Sequence, residues 1–184
     1  MTGHAYARPA PCHTLEHTLM TTFATNQDLS ASALREVFGA FPSGVVALIA
    51  DIDGAPVGLA ASSFTSVSLD PPLVSISIAN GSKTWPDLRR ASRLGVTVLA
   101  GHHAEFARQL AGPVEKRFDD IPLASTDTSA VYVRDGVAHF ETSIHSELPA
   151  GDHTIILLRV HSRSALASAE PLLFHRSGFR QFSA

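Results

Sequence analysis

The sequence predicts a mainly β domain, a barrel or sandwich with a few helices. Three observations carry that expectation. From Gly44 onward, segments rich in Val, Ile and Leu are separated by turn residues at about 8–12-residue spacing, the pattern of barrels and sandwiches. Two Asp-Gly pairs, Asp53-Gly54 and Asp135-Gly136, stand between such segments, where a tight hairpin needs residues that tolerate positive φ. The composition fits one domain with a real core: 184 residues, 45% of them hydrophobic, and only 17% charged against roughly 25% in ordinary soluble chains. So little charge leaves apolar surface to cover, and a subunit interface is one way to cover it.

The elements follow in order. Residues 1–28 carry Pro9, Pro11 and three histidines without a steady hydrophobic period, and they read as an extension that is partly disordered or packs on a partner. The folded domain is expected over residues 29–184. Asp28-Leu29-Ser30 starts a helix in which Leu34, Val37, Phe38 and Phe41 recur at helical spacing, closing near Gly39 to Pro42. Val45 to Asp51 reads as a strand, turned at Asp53-Gly54 into Val57 to Leu59. Ser62 to Leu69 is a further run, stopped at Asp70-Pro71-Pro72 because consecutive prolines remove two ladder donors. Leu73 to Ile78 alternates, with Val74, Ile76 and Ile78 on one face and Leu73, Ser75 and Ser77 on the other.

Thr84 is placed to cap a helix carrying Trp85, Leu88 and Ala91, and His103 to Leu110 forms another, stopped by Gly112. Leu94 to Leu99 lies between them as a strand. Asp135-Gly136 is expected to join Val131 to Arg134 with Val137 to Ile144 as a hairpin; Thr154 to Val160 is the last long strand, and Leu172 to His175 a final short one.

Several function classes fall away. A net charge of -3 with no Lys/Arg cluster argues against nucleic acid, whose binding rests on neutralising several phosphates. The longest apolar runs, Gly44 to Ala50 and Ile155 to Leu158, are far shorter than the ~18 residues of a membrane span. No lysine-led apolar block opens the chain, so the cytoplasm is the expected compartment, and Cys12, the one cysteine, has no internal disulfide partner. No G-x-G-x-x-G follows a strand, and Gly81-Ser82-Lys83-Thr84 lacks the Gly-Lys adjacency of a P-loop. His13 and His17 stand four apart, a metal-ligand spacing, but no third ligand is evident and no metal is expected. His102-His103 reads as a solvated helix start.

Three segments carry chemistry. Ala60 to Pro72 is dominated by small and hydroxyl side chains where a core strand would have larger ones. A flat aromatic ligand fits beside such a strand, its polar edge meeting backbone N–H groups and the Ser62 or Ser63 hydroxyl; a plain polar outer face would look the same. Asn80-Gly81-Ser82-Lys83-Thr84 combines hydroxyls, a lysine and a helix start, which suits a phosphate or an unliganded cap equally. Gly151-Asp152-His153 heads an apolar strand, where the carboxylate can orient the imidazole.

Taken in order, these pieces resemble the short-chain flavin reductase family, the FMN-binding split β-barrels that serve as reductase components of two-component monooxygenases. The resemblance runs from about Leu34 to Phe182. It rests on Phe41-Pro42-Ser43-Gly44-Val45, on Ala61 to Leu73, on Asn80 to Thr84, on Gly151-Asp152-His153-Thr154, and on Pro171-Leu172-Leu173-Phe174 with Gly178-Phe179-Arg180. It implies that Pro42, Ser43 and Gly44 and the stretch Ala60, Ala61, Ser62 and Ser63 line the isoalloxazine and ribityl chain of FMN or FAD. Asn80 belongs to the same binding segment, in which Ser82, Lys83 and Thr84 would hold the phosphate.

The resemblance also implies that His153, held by Asp152, faces the nicotinamide of NADH or NADPH. A homodimer is implied too, with reduced flavin passed to a separate monooxygenase component. Leu157-Leu158-Arg159 departs from the family, which often has glycine before the arginine, so Leu158 is expected to reshape the nicotinamide side. The alternatives are a non-catalytic flavin carrier on the same barrel and, with too few arginines for its substrate phosphate, an oxidase of pyridoxine-type phosphates.

Overall fold

The computed structural model describes residues 26–180; His13, His17, Cys12 and most of the N-terminal extension lie outside them. The chain order is α1 (Ala31–Phe38), β1 (Ser43–Gly44), β2 (Val46–Ile52), β3 (Ala55–Ala61), β4 (Thr65–Leu69), β5 (Pro72–Ala79), α2 (Trp85–Leu88), β6 (Leu94–Val98), α3 (Ala104–Leu110), β7 (Leu123–Ser125), β8 (Val131–Val133), β9 (Ala138–Ala150), β10 (His153–Ala165), β11 (Leu173–His175) and β12 (Gly178–Arg180). The fold is mainly β, as the spacing predicts. Among the described residues no helix is long and apolar enough to cross a membrane.

Seven strands pair antiparallel in the order β3-β2-β6-β9-β10-β5-β4, beside a three-stranded sheet β1-β11-β12 and the ribbon β7-β8. β2 explains the apolar run read in the sequence. Val46, Leu48 and Ala50 pack with Ile76, Leu94, Val96, Ile156 and Leu158 on one face, while Val45, Ala47 and Ile49 pack with Leu99, Leu110, Val131 and Leu172 on the other. A strand buried on both faces cannot alternate with polar residues. At Asp53-Gly54 both residues have positive φ, 56° and 87°, the type I′ geometry expected of that pair.

The large sheet is strongly curled. β3 and β4 are its opposite edges, yet only Ser62, Ser63 and Phe64 separate them, so the two strand ends lie within about 14 Å. Their backbones do not pair with each other; the sheet comes near closure and stops. The sequence expectation of one strand from Ser62 to Leu69 is corrected accordingly, since Ser62 to Phe64 form the corner between the two edges. The Ser63 hydroxyl accepts from Ser77 N at 3.0 Å and donates to Ser77 O at 3.1 Å, replacing the backbone pairing that β4 begins only at Thr65.

Other expectations are also corrected. Asp135-Gly136 turns the chain, with Asp135 at φ 59°, but β8 pairs with β7 whereas β9 pairs with β6 and β10. A Cβ on Gly136 would collide with Thr97 of β6, so the turn lays the chain directly against β6 rather than folding it back on β8. β9 and β10 are each 13 residues long, well beyond the predicted Val137–Ile144 and Thr154–Val160. Their added halves are largely exposed, so no hydrophobic pattern announces them.

His103 is buried, not solvated: its Nδ1 accepts from Ala100 N at 3.1 Å and caps the turn that leads into α3. Desolvation, with the neighbouring His102 second, lowers its pKa to about 4. Thr84 precedes α2 but makes no side-chain cap. Leu158 is fully buried in the core of the large sheet. On α1 the predicted apolar face is open, with Val37, Phe38 and Phe41 69%, 68% and 78% exposed.

Candidate functional site

The unclosed seam of the sheet is a cleft. β4 pairs with β5 only as far as Ser75, leaving Ser77, Ile78 and Ala79 to face the end of β3 across a cavity of about 640 Å³. Leu59, Ala60, Ala61, Ser62 and Ser63 form one wall, Ser77 to Ala79 the other, and Gly81, Ser82 and His153 the end. The small side chains that the sequence singled out therefore do leave room beside their strand. Gly58 O is turned out of the sheet, because it accepts from Arg117 Nη1 at 2.9 Å. Main-chain groups alternate along a strand, so Ala60 turns its N–H and C=O the same way, toward the cleft.

The same segment backs a second space. Ala60, Ala61 and Ser62 share a smaller, mostly apolar cavity of about 170 Å³ with Val45, Ala107, Ala111, Phe174 and Phe179. Phe174 and Phe179 meet edge to face at 5.6 Å, and the Arg108 guanidinium lies 5.2 Å from the Phe179 ring centre. The pair comes from β11 and β12, and β1 aligns Ser43 with Phe174.

At the end of the cleft the β9–β10 hairpin presents its histidine. Gly151-Asp152 is a two-residue turn between Ala150 and His153, with Gly151 at φ 65°, which glycine adopts without strain. Asp152 Oδ1 accepts from His153 Nδ1 at 2.7 Å, which fixes the proton on Nδ1 and leaves Nε2 for a ligand. That hydrogen bond holds the fully exposed Asp152 carboxyl below its usual range. Asn80 clasps the turn on three sides: its Nδ2 donates to Gly151 O at 3.1 Å, its Oδ1 accepts from the Thr154 hydroxyl at 2.9 Å, and its N–H donates to Asp152 O at 2.9 Å. This role was not legible in the sequence, because the two segments are 71 residues apart.

The predicted site residues are thus sorted by the structure. Ala60, Ala61, Ser62, Ser63, Ser82 and His153 come together around the cleft. Asp152 and Asn80 support its end. Pro42, Ser43 and Gly44 do not line it; they lead into Val45, and Ser43 and Gly44 pair with β11, which carries Phe174 of the smaller cavity. Lys83 and Thr84 stand around the corner in a separate cavity of about 100 Å³ with Gly58 and Arg117. Ser82 Oγ accepts from Trp85 N at 3.2 Å, and the buried Thr84 Oγ1 accepts from Arg117 Nη1 at 2.8 Å. Sequence reasoning missed Arg117, and it named Gly81, Phe174 and Phe179 within their motifs and Ser77 on the correct face without giving any of them a role.

Another cleft, of about 420 Å³, lies under β8 among Tyr132, His139, Glu141 and Arg163. Much of its polarity is already committed. His139 is hydrogen-bonded through both ring nitrogens, to Val133 O and to the Ser164 hydroxyl, and Glu141 pairs with Arg93 at 3.2 Å. Among the described residues no group of three or more His, Cys, Asp or Glu side chains is arranged to hold a metal ion.

Residues 38–183 match the family model described as flavin reductase like domain. A flavin reductase of Pseudomonas putida is 35% identical over 151 residues, 82% of this chain and 89% of its own length. The flavin-dependent monooxygenase reductase subunit HsaB of Rhodococcus jostii (strain RHA1) is 31% identical over 79% of this chain and 74% of its own. Two Rhizobium meliloti (strain 1021) relatives are longer, and the chain spans 42% and 56% of them. Among solved structures, the NADH:FAD oxidoreductase SgcE6 of Streptomyces globisporus C-1027, in complex with NAD and FAD fragments, aligns with TM-score 0.79 at 34% identity, covering 84% of this chain and 93% of that one.

Proposed function

Because the chain belongs to the flavin reductase family, we propose that it is an NAD(P)H-dependent flavin reductase whose seam cleft binds FMN or FAD. The observation that carries this reading is the meeting of Ala60 to Ser63, Ser82 and His153 around one cavity at the gap in the sheet. The donor set fits a flavin. Small side chains and the outward main-chain groups of β3 suit a planar ring with a hydrogen-bonding edge, and a Cβ on Gly81 would stand in open space. The volume lies within the range of about 300–1,000 Å³ for small-molecule sites.

Bound flavin and reduced nicotinamide supply the redox chemistry, a hydride passing from one ring to the other. The chain's residues have to stack and orient. Ala60 and Ala61 keep the wall flat, Ser62 offers a hydroxyl at its end, and Ser63, held by Ser77, fixes the corner behind it. Ser82 and Lys83, with the Gly81 backbone, form the phosphate side. His153 Nε2 is the nitrogen available to the nicotinamide amide or to negative charge on the ring system, and Asp152 and Asn80 hold it there. Pro42, Ser43 and Gly44 act from the Phe174 side, and Thr84 through its bond to Arg117.

The fold is read as a split β-barrel, supported by two edge strands that converge without pairing. A single domain over residues 29–184, paired as a homodimer, is supported by the uncovered face of α1. The likeness to HsaB supports delivery of reduced flavin to a separate monooxygenase component. The test is nicotinamide oxidation by purified protein, with NADH and NADPH each against FMN, FAD and riboflavin. Turnover that depends on added flavin is expected, with about tenfold lower kcat/KM for the nicotinamide in His153→Ala, roughly the loss of one good hydrogen bond. Flavin binding without nicotinamide oxidation would instead establish a carrier.

A further inference from the structure

We propose that Arg117 is a positioning residue that sets the width of the flavin cleft at its phosphate end, and so makes the site selective for 5′-phosphorylated flavins. The inference rests on the flavin reading above. Its evidence is the geometry of one guanidinium. Nη1 donates to Gly58 O on β3 at 2.9 Å and to Thr84 Oγ1 at 2.8 Å, and Nη2 donates to Gly112 O, just past α3, at 2.9 Å. One planar group therefore joins the strand that makes one wall of the cleft to the 81–84 segment that makes its end. Among the described residues no other side-chain hydrogen bond joins β3 to residues 81–84.

Stability alone does not account for this arginine. Its Nε is a buried donor without a partner among the described residues, a cost that a lysine or an apolar side chain would avoid. What the guanidinium supplies is a fixed fork, several donors held in one plane, which a lysine's single ammonium cannot reproduce. It acts behind the site. Arg117 lines the small cavity with Lys83 and Thr84 and is absent from the walls of the main cleft, so its effect reaches a ligand through Gly58 and Thr84.

The consequence is specific. Loosening the seam displaces Gly81 and Ser82 relative to β3, which removes contacts to a phosphate and leaves those to the ring system along Ala60 to Ser63. A purely structural arginine would weaken all flavins alike.

The experiment measures dissociation constants of FMN and riboflavin by quenching of flavin fluorescence, without nicotinamide, on wild type, Arg117→Lys and Arg117→Gln. Wild type is expected to prefer FMN. Both variants are expected to lose about tenfold in FMN affinity while riboflavin stays within about twofold, so that the preference collapses. Either variant carries the test if the other does not fold. An FMN-to-riboflavin ratio equal to wild type overturns the inference and leaves the flavin reading standing. Wild-type protein that binds neither flavin overturns both.

Discussion

β2 and β3 are two halves of one hairpin, paired residue for residue from Val46 with Ala61 to Ile52 with Ala55, yet they are built for opposite purposes. β2 carries Val46, Leu48 and Ile49, packed on both sides and closed to solvent. β3 has β2 on one side only, and its outer edge ends in Ala60 and Ala61 against an open cleft. Large side chains on the inner strand fix the fold, and small ones on the outer strand make space. The comparison teaches that in this chain a lack of side-chain volume in a strand marks the ligand wall, whereas a surplus marks the core.

The sharpest way to break the contrast is to make β2 small. Leu48→Ala removes a fully buried side chain and is expected to destabilise the protein by about 3 kcal/mol, within the usual span for such cavities. Denaturant unfolding measures it, and the flavin affinity of the molecules that remain folded should not change.

A second test concerns the buried side of the molecule alone. His103 stays neutral when folded, with a pKa near 4, but titrates near 6.5 when unfolded. The unfolded chain therefore binds more protons between those values, and the stabilising contribution, complete above about pH 6.5, is lost as pH falls toward 4. Unfolding free energy should drop by about 2 kcal/mol between pH 7 and pH 4.5 from this group, and a His103→Gln variant should show a correspondingly shallower slope. Equal slopes would detach His103 from the acid sensitivity.

The smallest expected change in stability comes from making β3 large. Ala61→Leu projects bulk into the cleft and is expected to weaken FMN binding about tenfold, about 1.4 kcal/mol, while unfolding free energy moves by less than about 0.5 kcal/mol. If stability fell and binding did not, Ala61 would belong with β2.

The same contrast governs what the sequence reveals. β2 and β5 are legible because burial writes itself into hydrophobic runs and alternation, and the two-residue turns at Asp53-Gly54 and Gly151-Asp152 are legible because positive φ demands particular residues. The added half of each of β9 and β10 is held by the predicted half of the other strand, Ser146 to Ala150 by His153 to Leu157 and Ser162 to Ala165 by Ala138 to Glu141, a cross-strand property without a local signature. The partner of β8 is decided by contact at a distance: Gly95 lets β8 cross β6 so closely that a Cβ would strike the Val131 carbonyl, and Val133 N donates to Thr97 Oγ1 at 3.1 Å. Of the site, the small-residue wall and His153 were visible, since composition and a turn motif carry them. Arg117 was not, because its bonds to Gly58 and Thr84 span 59 and 33 residues and leave no pattern in either segment.

The near-closure of the seven-stranded sheet has a consequence for how the protein behaves when crowded with copies of itself. A free strand edge is a template onto which a neighbouring chain can add. Here the two edges converge at the Ser62–Phe64 corner, Arg117 occupies the outward carbonyl of Gly58, and the Ser63 hydroxyl occupies both main-chain groups of Ser77. At these two points the gap that admits a ligand offers no free main-chain group to another strand.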